Sequence, residues 1–107
     1  MNWSSYHTLA ETAATIGYEL EGDGRADMAR DWFAEAADAE LSALSQCPDC
    51  KRRTLGITAV SAAALLAKAG RRSEAIDVAT RYSADSRLPA EYRGQLCEIA
   101  EQLQRRN

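Results

Sequence analysis

A repeat with a 46-residue offset constrains this chain more than any other feature. Ala13, Ile16, Gly17, Leu20, Gly24, Ala29 and Phe33 each have a counterpart 46 positions on, at Ala59, Ala62, Ala63, Leu66, Gly70, Ala75 and Ala79. Every one of these positions is small or apolar, and the glycines Gly24 and Gly70 fall at matching points between apolar stripes of helical spacing. A helix, a glycine turn and a second helix cannot bury their apolar face alone, so two such units must stack to make one core. Composition agrees. Six Gly and two Pro in 107 residues are too few punctuators for a β-sandwich or a loop-rich scaffold. With 46% hydrophobic and 27% charged residues the chain reads as folded rather than disordered, and its length is that of one domain.

Apolar spacing of three and four predicts five helices. The first covers about residues 5–21, with Trp3, Tyr6, Leu9, Ala10, Ala13, Ile16, Gly17 and Leu20 on one stripe. The second covers about 25–45, with Met28, Ala29, Trp32, Phe33, Ala36, Ala39 and Ala43 inward, and Pro48 breaks the chain after it. The third, about 52–69, is apolar nearly all round, which predicts the central position in the stack. The fourth, about 73–84, has Ser73 as its expected N-cap and Ala75, Ile76, Ala79 and Tyr82 inward. Pro89 suits the first turn of the last helix, whose stripe is Tyr92, Leu96, Ile99 and Leu103, and Arg105 and Arg106 complement its C-terminal dipole. The expected architecture is therefore all-α: a hairpin over 5–46, a hairpin over 51–85, and a C-terminal capping helix over 89–106. The same five helices in an unrelated alanine-rich bundle are the alternative.

The repeated residues resemble the tetratricopeptide repeat. Ala13, Ile16, Gly17, Leu20, Gly24, Ala29 and Phe33 fill that family's pattern of large, small and Leu-like positions once, and Ala59 to Ala79 fill it again. The segment Ala69-Gly70-Arg71-Arg72-Ser73-Glu74-Ala75-Ile76 is most similar to the family's helix-turn-helix corner. The resemblance spans residues 5–84. It departs from the family in its long offset, in lacking Pro at the end of each repeat, and in replacing the second repeat's aromatics by Ala. It implies an α-α superhelix closed by a solvating cap, and a scaffold that holds a peptide or partner helix in a groove lined by the first helix of each repeat. Carried over position by position, that groove is Glu11, Ala14, Tyr18 and Glu21, then Ile57, Val60, Ala64 and Lys68. The subclass that clamps a C-terminal carboxylate needs Lys and Asn where this chain has Ala14 and Tyr18, so that use is not implied. A groove acidic on one repeat and aliphatic on the other suits an amphipathic segment carrying Lys or Arg. The capping helix, or another copy of the chain in a homo-oligomer, is the alternative occupant.

Few residues offer chemistry. Cys47-Pro48-Asp49-Cys50 is a CxxC in an expected loop. Two thiolates can share a zinc ion, but a structural site takes four ligands, and only Cys97 and His7 remain as soft donors. A redox CxxC belongs at a helix N-terminus in a βαβ context, which is missing here. Cys47 and Cys50 thus carry the alternative function, a metal- or redox-responsive regulator, against the plainer reading of two loop thiols and a core-facing Cys97. His7, the only histidine, is expected to be packed or at the surface beside Trp3 and Tyr6. No Ser/His/Asp set, HExxH or phosphate loop is present, so neither enzyme nor cofactor is expected. The carboxylates of residues 11–40 have the spacing of a solvated helix face.

Charge is divided along the chain. Residues 1–46 hold nine Asp/Glu against Arg25 and Arg30, and residues 47–107 hold eleven Lys/Arg against seven Asp/Glu. Either the hairpins pack through complementary rims or one face steers a charged partner. The clusters Lys51-Arg52-Arg53, Arg71-Arg72 and Arg105-Arg106 lack interleaved aromatics and the net charge is −3, so a protein rather than a nucleic acid is the expected partner. The most apolar stretch, 57–67, interrupted by Ser61, is short of the roughly 20 residues a membrane span needs, and no basic-then-apolar leader is read at residues 1–7. The expectation is a small cytoplasmic interaction module, an adaptor or regulatory subunit.

Overall fold

Two glycine corners set the course of the chain. In the computed structural model, which describes residues 1–49 and 51–106, Gly24 and Gly70 both stand at φ +77°, the left-handed conformation that costs glycine nothing. At the first corner the Gly24 amide donates to the Glu21 carbonyl (3.1 Å) and the Arg25 amide to the Leu20 carbonyl (2.9 Å). Forty-six residues on, the Gly70 amide donates to Ala67 (3.1 Å) and the Arg71 amide to Leu66 (2.9 Å). Both corners therefore satisfy the end of one helix by the same left-handed cap before the next begins. The two corners thus share one backbone hydrogen-bond pattern at an offset of 46 residues.

The elements are α1 (Trp3–Gly22), α2 (Ala26–Ser45), α3 (Arg52–Lys68), α4 (Arg72–Ser83) and α5 (Ala90–Arg105), with no strand among the described residues. The fold is all-α, as expected, and the helix ends lie within two residues of those read from apolar spacing. Ser73 is not the N-cap of α4. The glycine corner places Arg71 there, and the Arg71 guanidinium bridges Asp38 (2.6 Å) and Glu74 (2.9 and 2.6 Å) instead. Pro89 likewise stands one position before α5, as its N-cap.

Each helix packs on its successor, and α3 also packs on α5, giving a slab of 39 × 36 × 18 Å, two helix layers thick. The nearly all-apolar α3 is central, in contact with α2, α4 and α5. Its alanines Ala59, Ala62 and Ala63 are buried in a core cluster with Leu88 and Leu96, while its Leu65 and Leu66 belong to a second cluster with Phe33, so α3 contributes to both. Close approach depends on missing side chains. Gly17 lies against the Phe33 ring, where an added Cβ would come within 2.8 Å of a ring carbon. Gly56 lies against Tyr92, where the corresponding distance is 2.6 Å. Leu9, Met28 and Trp32, read as inward, are exposed, because among the described residues no helix packs on that side of the α1–α2 hairpin. Cys97, read as core-facing, is also exposed.

Two arginines tie the connections. Arg72 donates from Nε to the Leu103 carbonyl (2.7 Å), satisfying one of the unpaired carbonyls at the end of α5. In the α4–α5 loop, Arg87 holds Asp85 through Nη2 (2.6 Å), Nε (3.0 Å) and its own backbone amide (2.9 Å), and reaches Asp49 on the α2–α3 connection.

Gly56→Ala is expected to lower stability by about 1–3 kcal/mol through overpacking against Tyr92, despite alanine's better helix propensity. Gly94→Ala, also within a helix but with open space around the new Cβ, is expected to raise it by up to about 1 kcal/mol. Urea unfolding followed by circular dichroism measures both. The Arg87 guanidinium, and then its backbone amide, hold the Asp85 carboxyl down at about 2 against an ordinary value of 3.8. A carboxyl lowered on folding stabilises fully above its unfolded value and loses that contribution as pH falls through the folded one. Asp85→Asn should therefore cost about 1 kcal/mol at neutral pH. Its gap from wild type should begin to close below about pH 4 and be gone below about pH 2, read from unfolding curves across that range.

Candidate functional site

Two adjoining cavities run across α1, α3 and α5. One, of about 190 Å³, is bounded by His7, Ala10, Glu11, Ala14, Tyr18, Ser61, Ala64 and Leu65, with Glu40 of α2 contributing from below. The other, of about 380 Å³, is bounded by Tyr18, Ala64, Ala67, Lys68, Ile99, Gln102, Leu103 and Arg106. Tyr18 and Ala64 belong to both, so the two form one trough. Ala10, Ala14, Ser61, Ala64 and Ala67 project little, which opens room for a backbone to approach. Tyr18 is 53% exposed and stands edge-on to the Phe33 ring (5.0 Å between centroids). The Lys68 ammonium lies 5.1 Å from the centre of the Tyr18 ring and pairs with Glu21 at 3.0 Å. Arg106 adds a second cation to that end.

The opposite end is built around a buried carboxylate. Glu40 is 1% exposed, on the stripe of α2 that also carries Phe33, Ala37 and Leu44. Both its oxygens face His7 Nδ1, at 3.0 and 3.2 Å, and His7 Nε2 faces the Glu11 carboxylate at 2.6 Å. Burying a carboxylate is costly unless it is paired, and His7 is the group paired with it. The imidazole is fixed in turn by Trp3, stacked on it with centroids 4.7 Å apart and planes 11° from parallel. The Trp3 indole N–H donates to Thr58 Oγ1 (2.9 Å), and the Thr58 hydroxyl donates to the Thr54 carbonyl (2.7 Å). This chain of contacts ties the start of α1 to α3. One end of the trough thus offers carboxylate acceptors and the other offers cations, with an apolar floor between them.

Of the groove positions taken from the repeat pattern, Glu11, Ala14, Tyr18, Ala64 and Lys68 line the trough, and Glu21 meets it through Lys68. Ile57 is exposed and Val60 packs against the core cluster of Tyr92 and Leu96, and neither borders either cavity. Sequence reasoning missed His7, Glu40, Ser61 and Arg106 as lining residues. Glu40 corrects the reading of the residue 11–40 carboxylates as one solvated face. Its signal was available, since the steps Phe33, Ala37, Glu40, Leu44 are those of an apolar stripe. The basic clusters do not form one track. Arg71 and Arg72 are held by carboxylates and by the end of α5, while Lys51, Arg52 and Arg53 lie at the other end of α3, roughly 25 Å away at helical rise. Cys47 is half-buried beside the second core cluster, and Cys50, its partner in the CxxC reading, lies outside the described residues. Among the described residues no group of three or more His, Cys, Asp or Glu is arranged to hold a metal ion. No described helix is long and apolar enough to cross a membrane.

His7→Leu is expected to cost about 2–3 kcal/mol, because it leaves the buried Glu40 side chain without its polar partner. Adding Glu40→Leu should recover at least about half of that loss, since removing both partners leaves nothing unsatisfied. A double-mutant cycle by urea unfolding checks this, and additive costs would show that the pair is not coupled.

No family model, no curated protein and no solved structure matches this chain.

Proposed function

We propose that this chain is a small protein-interaction module, an adaptor or regulatory subunit, that holds a peptide or partner helix in the trough across α1, α3 and α5. The observation that carries the proposal is the continuity of that trough, with Tyr18 and Ala64 shared by both cavities and small residues along its floor. The tetratricopeptide resemblance supports it, because arrays of that family bind polypeptides on the corresponding face. The polarity of the trough favours one orientation of the bound segment. Lys or Arg side chains belong at the Glu11 end, aliphatic side chains over Ala14, Ala64 and Tyr18, and acidic groups or a carboxylate toward Lys68 and Arg106. Charge arranged in this way contributes more to orientation and specificity than to raw affinity.

Ala64→Trp fills the shared part of the trough from an exposed position, and Glu11→Lys reverses the charge of its acidic end. Cross-linking and affinity capture from the native lysate should enrich a protein that wild type binds and that both variants lose by at least about ten-fold, with helicity unchanged. A partner retained by both variants would place binding elsewhere and defeat the proposal.

A further inference from the structure

The end of the stack formed by α1 and α2 carries an apolar ledge that no described residue covers. Leu9 is 51% and Trp32 38% exposed, Met28 is exposed as well, and a cleft of about 390 Å³ runs between the two helices past Tyr6 and Ala39. The repeat shows what is missing. Leu55, the counterpart of Leu9, is 2% exposed, and Thr58 and Ala62, the counterparts of exposed Thr12 and half-buried Ile16, are buried. Those residues belong to α3, which packs on α2, whereas on α1 no described helix takes the place that α2 takes on α3. The rim of the ledge is acidic. Glu35 and Asp38 line the cleft, Asp31 lies one turn before Glu35, and no described Lys or Arg lines it. Asp38 is held by Arg71, but Glu35 and Asp31 form no ion pair with any described residue.

We infer that this ledge docks an amphipathic helix of a partner protein, seated as α2 sits on α3. Its aliphatic stripe covers Leu9 and Trp32, and its flanking Lys or Arg face Glu35 and Asp31. An exposed apolar patch rimmed by one sign of charge is the pattern of such an interface. A second copy of this chain fits less well. Ledge against ledge would set these carboxylates against their own kind. The outer face of α5, at the far end of the stack, is polar and carries exposed Glu91, Glu98 and Glu101. This surface is separate from the trough, so a partner here leaves the other face free.

The probe is a synthetic peptide of α2 itself, residues 26–45, in which Leu41→Lys and Ser45→Lys, at the positions that border Asp77 and Arg81, the counterparts of Asp31 and Glu35, supply the basic flank. The unsubstituted acidic peptide is the control, and each is titrated into nitrogen-15-labelled full-length protein. The lysine-substituted peptide should shift the resonances of Leu9 and the Trp32 indole and bind at least about ten-fold tighter than the control, with affinity falling as salt rises. In the protein, Leu9→Glu should weaken it at least about ten-fold with helicity unchanged. Asp31→Lys with Glu35→Lys should reverse the preference between the two peptides, which tests the charge rim without touching the apolar residues. The inference is overturned if the lysine-substituted peptide does not bind, if both bind equally, or if the shifts map to Tyr18 and Ala64 instead. A dimer in sedimentation equilibrium that Leu9→Glu dissolves would also overturn it, by assigning the ledge to a second copy.

Discussion

The structure depends on helices approaching one another where a side chain is absent or minimal. Gly17 against Phe33 and Gly56 against Tyr92 leave no room for a methyl group, and Ala59, Ala62 and Ala63 let α3 be enclosed by α2, α4 and α5. A core closed by alanine offers little apolar area per residue, so few large side chains must fill what the backbones leave open. Phe33, Leu66, Leu88 and Leu96 do this, each almost fully buried, at about 1.5–3 kcal/mol apiece. Such a core gains its stability from tight fit more than from bulk, which makes it sensitive to any change in volume.

That same economy explains how much of the fold was legible. Helix positions followed from apolar spacing, and both corners from glycines that the backbone needs at positive φ. The central place of α3 followed from its lack of a polar face. Periodicity identifies a stripe, however, and not what lies against it. Leu9, Met28 and Trp32 belong to such stripes and face outward, because burial requires a neighbouring helix that the stripe cannot supply. Ser73 looked like a cap by residue type, but the geometry inherited from Gly70 had already placed Arg71 in that role.

The trough was legible to the extent that one helix face could be transferred from a repeat pattern. Glu11, Ala14, Tyr18, Ala64 and Lys68, read from that pattern, border the trough. Val60 does not, because the cluster that includes Tyr92 and Leu96 of α5 takes it up. The His7–Glu40 pair was hidden for a different reason. Its members are separated by 33 residues, on different helices, and only the hairpin's register brings the imidazole over the carboxylate. Tertiary polar pairs of this kind leave half a signal in the sequence, a charge on an apolar stripe, without naming the partner.

The charge division along the chain is also only partly a packing device. Glu21 with Lys68 and Asp38 with Arg71 join the acidic first half to the basic second, as complementary rims require. Both pairs are exposed, and exposed pairs contribute about 0–1 kcal/mol each. Glu40 is answered by His7, within its own hairpin. The acids that remain on α1 and α2, Glu19, Asp27, Asp31 and Glu35 among them, are solvent-exposed and add a one-signed field to a surface that also exposes Leu9 and Trp32. Fold stability gains nothing from concentrating like charges there, since their mutual repulsion opposes it. In the docking inferred above, such a field would favour a basic segment over an acidic one.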